Sequence, residues 1–422
     1  MPPLARRDVK SLVRKLGASA RPSQHRGALE AITQLCWHRN TDCLTAIATA
    51  GAIPALMHML GAGSTADVHQ NAAAALAKLA DNAEIAATIT AAGAIPPLVQ
   101  LLGVGSSHQL QANAAVVLRN LAENADNQVT IAGAGGILPL MRLLGSASPA
   151  VAQETAAAAL GKLAENADNQ VTIAAAGAIP PLVQLLGSAS RGGAQLAAAA
   201  LGCLAENTDN QATIAAAGAI PLLVQLLGAS YTADTAAGAL MFLAQNADNQ
   251  VTIAAAGAIP SLVQLLGSAS RGGAQLAAAA LGRLAENTDN QATIAAAGAI
   301  PLLVQLLGAG STADTAAAAL LFLAQNIDNQ VTIAAAGAIP LLVQLLGSAS
   351  PGADVVATSA LGRLAENDDN KVTITAAGAI PLLVQLQLGP GSDLMKQLAT
   401  AALKVLGHSS SDVLSGIEGL GI

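Results

Sequence analysis

Apolar residues recur at i, i+3, i+4 and i+7 in short runs along nearly the whole chain, and each run is bounded by glycine and proline. In one such run Ile179, Leu182, Val183 and Leu186 form a single stripe, with Gly177 before it and Gly187-Ser188-Ala189-Ser190 after it. Pro180 reads as a first-turn residue, where its missing N–H costs nothing. Upstream, Val171, Thr172, Ile173 and Ala174–Ala176 predict another short helix. Asp168 and Asn169 supply side-chain oxygens for its free N–H groups, and Gly177 ends it by adopting a positive φ. Downstream, a third helix is predicted from about Ala194 to Glu206, with Leu201 and Leu204 facing inward.

The phrase Gly-Ala-Ile-Pro-x-Leu-Val-Gln-Leu-Leu returns, with small variations, at Gly51, Gly93, Gly135, Gly177, Gly218, Gly257, Gly298, Gly337 and Gly378, a spacing of 39 to 42 residues. Self-similarity at that period predicts a stack of small helical units, each leaning on its neighbours, in place of one globular core. A second period lies above the first. Residues 177–256 and 257–336 differ at seven of eighty positions, so longer and shorter units alternate. The shorter ones, around Ala229–Leu240 and Ala309–Leu320, are expected to lose two residues in the loop before the third helix. Two readings of the doubling stay open: a duplication with little functional content, or a ligand read in two-repeat steps.

Composition narrows the core and the chemistry. Apolar residues make up 53 %, yet there are two Phe, one Trp and one Tyr, so the core must be Ala, Leu, Ile and Val. The net charge is −7, although residues 1–26 hold Arg6, Arg7, Lys10, Arg14, Lys15, Arg21 and Arg26 against Asp8. The remainder is therefore acidic and a poor match for phosphate, which disfavours nucleic acid as a ligand of the main body. The uncharged stretches 169–190, 210–233 and 249–270 are long enough to span a bilayer. Each carries Gln, Asn, Gly and Pro in its middle and crosses three predicted elements, so no membrane insertion is expected.

No catalytic constellation emerges, and no enzyme activity or cofactor is expected. His25, His38, His58, His69, His108 and His408 are dispersed. Cys36-Trp37-His38 with Cys43 is the nearest approach to a metal cluster, but its spacing matches no zinc site. Cys36, Cys43 and Cys203 are too few for a disulfide framework. Gly133-Ala134-Gly135-Gly136 lacks the lysine of a phosphate loop.

The three-helix unit resembles an armadillo repeat, on the run Gly177 to Leu186 and on Ala-Leu-Gly-x-Leu-Ala from Ala200 to Ala205, both of which recur along the chain. The resemblance implies an all-α, right-handed α-solenoid (superhelix) with about three helices per repeat. Residues 1–40 would be an N-terminal cap holding a partial repeat of two helices, 41–407 nine repeats, and 408–422 a tail or capping helix through Val413, Leu414, Ile417 and Leu420. The stripe Val9, Leu12, Val13, Leu16 copies the repeat and supports the cap, while the arginine-rich start leaves a targeting signal open.

In armadillo proteins the third helices line a concave groove, and in nuclear import receptors Trp and Asn ladders there hold a basic signal. The Trp position here holds Ala74, Val116, Ala158, Ala199, Gly238, Ala279, Ala318 and Ser359. The Asn position holds Gln34, Lys78, Asn120, Lys162, Cys203, Phe242, Arg283, Phe322 and Arg363, with Met241 and Leu321 beside the two phenylalanines. These departures disfavour import-receptor activity. The resemblance places partner contacts at Lys78, Asn120, Lys162, Cys203, Met241, Phe242, Arg283, Leu321, Phe322 and Arg363. Phe242 and Phe322 are apolar anchors if they face the groove; the alternative is that the shorter loop rotates this helix and buries them. Lys78, Lys162, Arg283 and Arg363 are each followed three residues later by Asp81, Glu165, Glu286 or Glu366, so local pairing competes with an acid-binding role. Asn82, Asn124, Asn166, Asn207, Asn246, Asn287, Asn326 and Asn367 recur four residues past the ladder. They are expected to cap helix C-termini in the left-handed conformation, with a polar track along the groove as the alternative.

The resulting expectation is a non-enzymatic, cytoplasmic interaction scaffold or adaptor, with the nucleus open as a second location, that binds extended or helical protein segments and no small-molecule substrate. Rival readings are a substrate-recruiting subunit of a ubiquitin ligase assembly, because armadillo arrays occur beside U-box domains, and a structural part of a cytoskeletal or axonemal assembly. Membrane recruitment by glycine myristoylation is disfavoured by Pro2.

Overall fold

The computed structural model describes residues 6–16, 22–37, 41–61, 64–145, 147–310, 312–347 and 351–408. The described residues form helices and connecting turns, with no strand among them. In one repeat the helices are Ala167–Ala175, Ile179–Leu186 and Arg191–Leu204. The recurrent asparagine sets the frame. Asn166 is extended, at φ −94° and ψ 128°, and its side chain accepts the backbone N–H of Asn169. It therefore starts the following helix and does not close the preceding one, which corrects the left-handed C-cap expected at these positions. The reason is local. The third helix before it ends in right-handed geometry at Ala164, and an extended Asn two residues on reaches forward to the orphan N–H groups of the next helix. Asp168 and Asn169 are thus not the caps. Asp168 is exposed in the first turn and Asn169 is buried.

Gly177 has φ 82°, as the turn between first and second helices requires. That turn is sharp. The uncharged runs at 210–233 and 249–270 fold as the pairs Thr208–Ala216 with Ala219–Leu227 and Ala247–Ala255 with Ala258–Leu266, each bent by 87°. Among the described residues no single helix is long and apolar enough to cross a membrane.

The shorter repeats differ from expectation. Their third helices, Ala233–Leu243 and Ala313–Leu323, are 11 residues against 14 in Arg191–Leu204 and Arg271–Leu284. The shortening falls on the helix, because the hydroxyl of buried Thr232 donates to the carbonyls of Leu226 (2.8 Å) and Ala229 (3.2 Å) and builds a turn where the first helical turn would stand.

The chain forms two compact units, residues 1–219 and 220–422. In the first, the helices Pro22–Trp37, Ala66–Leu79, His108–Leu121, Ala150–Leu163 and Arg191–Leu204 pack in succession. In the second, Ala233–Leu243, Arg271–Leu284, Ala313–Leu323, Pro351–Leu364 and Asp393–Val405 do the same. Small residues set the spacing of these rows. A Cβ on Gly161 would lie 3.3 Å from Ala200 Cα, and one on Gly282 would lie 3.3 Å from Ala319 Cα. Interlocking Ala and Gly surfaces leave no space for aromatic residues.

The helices Arg6–Arg14 and Pro22–Trp37 precede the repeats, with Val9, Val13 and Leu16 buried and Leu12 half-buried. The capping helix expected at 408–422 falls on residues 409–422, outside the described residues, as do the side chains of Cys36, Trp37 and Cys43 and the whole of His38.

Candidate functional site

The accessible face of the third helices carries most of the candidate residues. Lys78, Lys162 and Cys203 in the first unit are half-buried. In the second unit Met241, Phe242, Leu321 and Phe322 are half-buried, and Arg283 and Arg363 are exposed. The inward stripe is completed without the phenylalanines, since Leu240, Leu243, Leu320 and Leu323 are at most 1 % exposed.

Asn120 breaks the pattern. It is only 9 % exposed. Its Nδ2 donates to the Ala77 carbonyl (3.3 Å) and to Asp81 Oδ1 (2.8 Å) of the preceding repeat. Its Oδ1 accepts from Arg119 Nε (3.0 Å) and Nη2 (2.7 Å). The residue that keeps the ladder type is thus occupied within the fold, and Arg119 takes the accessible position beside it.

Ion pairs cover much of the remaining charge. Arg283 Nη1 lies 2.7 Å from Glu286 Oε1, and Arg363 Nη1 lies 2.9 Å from Glu366 Oε1. Lys162 Nζ bridges Glu165, in the turn that follows its own helix, and Glu123 of the preceding repeat, each at 2.9 Å. Burial pulls the Lys162 pKa down, but the bonds and charges of Glu165 and Glu123 together outweigh it and hold it above the ordinary lysine value. Cys203 stands where Arg283 stands in the next copy. Burial, followed by the charges of Glu206 and Glu165, pushes its thiol up to about 11. Glu206 is raised by burial and then by Glu165.

The recurrent asparagines are occupied at helix starts. Asn124 Oδ1 accepts from Asn127 N at 3.0 Å, Asn207 Oδ1 from Asp209 N at 3.0 Å, and Asn246, Asn287, Asn326 and Asn367 cap in the same way. A recognition track along them would have to work around these caps.

Two features escaped the sequence reading. One is the buried Asn-Gln pair that follows the caps Asn124, Asn166, Asn207, Asn246, Asn287 and Asn326. Asn169 Nδ2 donates to the Leu163 carbonyl (3.0 Å) and to the Gln128 carbonyl of the preceding repeat (3.3 Å). Gln170 Nε2 donates to the Ala164 carbonyl (2.9 Å). The six-residue return to the end of the third helix recurs at Asn210, Asn290, Asn329 and Asn370. The Asp-Asn-Gln triplet was the available signal. The other is a cavity of about 820 Å³ between the helix Ala83–Ala91 and the end of His108–Leu121. Five alanines line it together with Asp81, Arg119, Glu123 and Asp126. No group of three or more metal-ligating side chains occurs among the described residues.

No curated protein matches the chain. A crystal structure of an engineered protein, from the Northeast Structural Genomics Consortium, superposes with a TM-score of 0.82 over 96 % of this chain and 100 % of that one, at 29 % identity. The family model of the plant U-box protein ARM repeat region matches residues 8–281. That match spans more than half the chain and joins the three-helix unit, the Gly-turn-Pro junction and the stacked third helices into one conclusion: the chain belongs to the armadillo-repeat family.

Proposed function

We propose that this chain is a non-enzymatic scaffold that binds segments of partner proteins along the accessible face of its third helices. The observation that carries the reading is where the two near-identical copies differ. Of the seven differences between residues 177–256 and 257–336, none falls on a buried position among the described residues. Three of them, Cys203/Arg283, Gly238/Ala318 and Met241/Leu321, lie on the accessible third-helix face. The core has been copied without change while the candidate recognition face has been altered. Half-buried Phe242 and Phe322 supply apolar anchors, and a few such residues usually dominate interface energy.

The test is affinity capture with the full chain and with a Phe242→Ala, Phe322→Ala, Arg283→Ala variant. Partners retained by the wild type and lost by the variant support the groove. Retention of every partner by the variant overturns it. A second reading, recruitment of substrates to a ubiquitin ligase assembly, draws its support from the match to a repeat region of U-box proteins. It requires that captured partners become ubiquitinated when a ligase domain is joined to this chain, and it fails if joining one changes nothing.

A further inference from the structure

We propose that the third-helix face of the unit 220–422 holds an extended partner segment with two apolar side chains five or six residues apart and a carboxylate-bearing residue midway between them. The proposal rests on the binding face put forward above and specifies what that face reads.

The ladder of this unit alternates in character. Phe242, Arg283, Phe322 and Arg363 occupy equivalent positions on four third helices that pack in succession. Three residues further on the alternation repeats: Gln245 and Gln325 follow the phenylalanines, whereas Glu286 and Glu366 follow the arginines. Charge is therefore absent from the ladder and its neighbouring position wherever an aromatic ring stands. One turn before each ring the chain has a small residue, Gly238 or Ala318. A Cβ on Gly238 would still lie 3.8 Å from the Leu276 side chain of the adjoining helix. Phe242 and Met241 are half-buried, as is Leu276 of the adjoining helix, so the partly accessible surface around the ring is apolar.

Between the two rings Arg283 presents a cation. Its side chain is 47 % exposed, against 28 % for its partner Glu286. A guanidinium has five N–H donors, and the bond to Glu286 employs Nη1. The outward donors suit a carboxylate, which can take two of them at once. Arg363 repeats the arrangement, with its side chain 49 % exposed.

Spacing fixes the register. Neighbouring packed helices stand about 8–10 Å apart, so Phe242 and Phe322, two helices apart, are about 16–20 Å apart. An extended chain advances about 3.3 Å per residue, which gives five or six residues between anchors and about three from each anchor to the carboxylate. Beside the ladder, Met241 and Leu321 flank the phenylalanines whereas Gly282 and Gly362 flank the arginines, so the apolar surface is a narrow row interrupted at every second helix. A strand-like backbone follows such a row, whereas a docked helix about 10 Å in diameter needs a broader apolar trough.

The test uses three fluorescein-labelled dodecapeptides and the full chain. The first has Leu at its third and ninth positions with Glu at the sixth. The second moves the leucines to a spacing of three, and the third replaces Glu by Gln. Anisotropy titration should show the first binding about tenfold tighter than the second. Phe242→Ala and Phe322→Ala should each abolish that preference, with circular dichroism confirming that the helices persist. Arg283→Ala should abolish the preference for Glu over Gln. Equal binding of the two leucine spacings, or a spacing preference unchanged in Phe242→Ala, overturns the proposal. Absence of binding by all three peptides, while captured partners still depend on Phe242 and Phe322, overturns the extended register and leaves the scaffold reading standing. If capture is also independent of those residues, both fall.

Discussion

Asn169 Nδ2 sits 3.0 Å from the carbonyl oxygen of Leu163, and this bond joins the first turn of one repeat's opening helix to the last turn of the helix before it. A helix leaves its final carbonyls without intrahelical partners, and here a buried side chain supplies one. The same amide reaches the Gln128 carbonyl in the preceding repeat. Replacing Asn169 by Ala removes both buried bonds while the Leu163 carbonyl keeps the N–H of Asn166 at 3.2 Å, and each lost intramolecular hydrogen bond costs about 0.5–1.5 kcal/mol. The Asn169→Ala variant is expected to lose the sum of the two in urea unfolding. Thr172→Ala, which removes a bond on the exposed side of the same helix, should change stability by less than about 0.5 kcal/mol.

The difference between what the sequence revealed and what it concealed follows from this bond. Gly177, Pro180 and the stripe Ile179 to Leu186 announce helix breaks and buried faces through steric and hydropathic rules that act within a few residues. Asn169 and Gln170 look like surface residues because their partners, the carbonyls of Leu163 and Ala164, lie around a turn whose path the hydrophobic pattern does not specify. Asn166 was legible as a cap but was assigned to the wrong helix, since an asparagine at a junction can serve either end. Asn120 kept the ladder residue type but not its exposure. That depends on Arg119 and Asp81, which bond its carboxamide from two repeats. Position along a repeat was readable, and the partner across repeats was not.

The close approach of third helices gives a second test. A methyl on Gly282 would lie 3.3 Å from Ala319 Cα and 3.4 Å from its Cβ. Backbone on a neighbouring helix cannot swing away as a flexible side chain can. Gly282→Ala gains helix propensity, but overpacking of a filled core costs about 1–3 kcal/mol. The variant should be less stable than the wild type by thermal unfolding. Gly352→Ala, with nothing within 4 Å of the added carbon, should be neutral or slightly more stable.

Glu206 provides a pH signature. Its pKa is raised in the fold by burial and by Glu165. A raised carboxyl pKa means that the folded state holds its proton more tightly, so the associated stability is fully present below the unfolded glutamate pKa and is lost as pH rises through the folded value. Glu206→Gln removes that dependence. The variant should exceed the wild type in stability at pH 7 by less than about 1 kcal/mol, because the site is largely exposed and screened. The advantage should vanish below about pH 4, where the carboxyl is protonated in both states. An advantage that persists unchanged at pH 3 would show that shape, not charge, is responsible.

The last prediction concerns the thiol standing where the next copy has an arginine. Burial and the charges of Glu206 and Glu165 push Cys203 up to about 11, so it carries almost no thiolate at neutral pH. Thiolate is the reactive form. In a Cys36→Ser, Cys43→Ser background, Cys203 should react with iodoacetamide well below the rate of an unperturbed thiol at pH 7.5. The rate should keep rising past pH 9, where a free cysteine levels off. Cys203→Arg should then behave as Arg283 does, whose Nη1 lies 2.7 Å from Glu286: the new guanidinium would meet Glu206, and the Glu206→Gln advantage at pH 7 should disappear in the double variant. Fast labelling at pH 7.5 would mean that the thiol is open to water and that Glu165 and Glu206 do not act on it. A surviving Glu206→Gln advantage beside Arg would mean that the two copies, alike in sequence around this position, do not place their carboxylates alike.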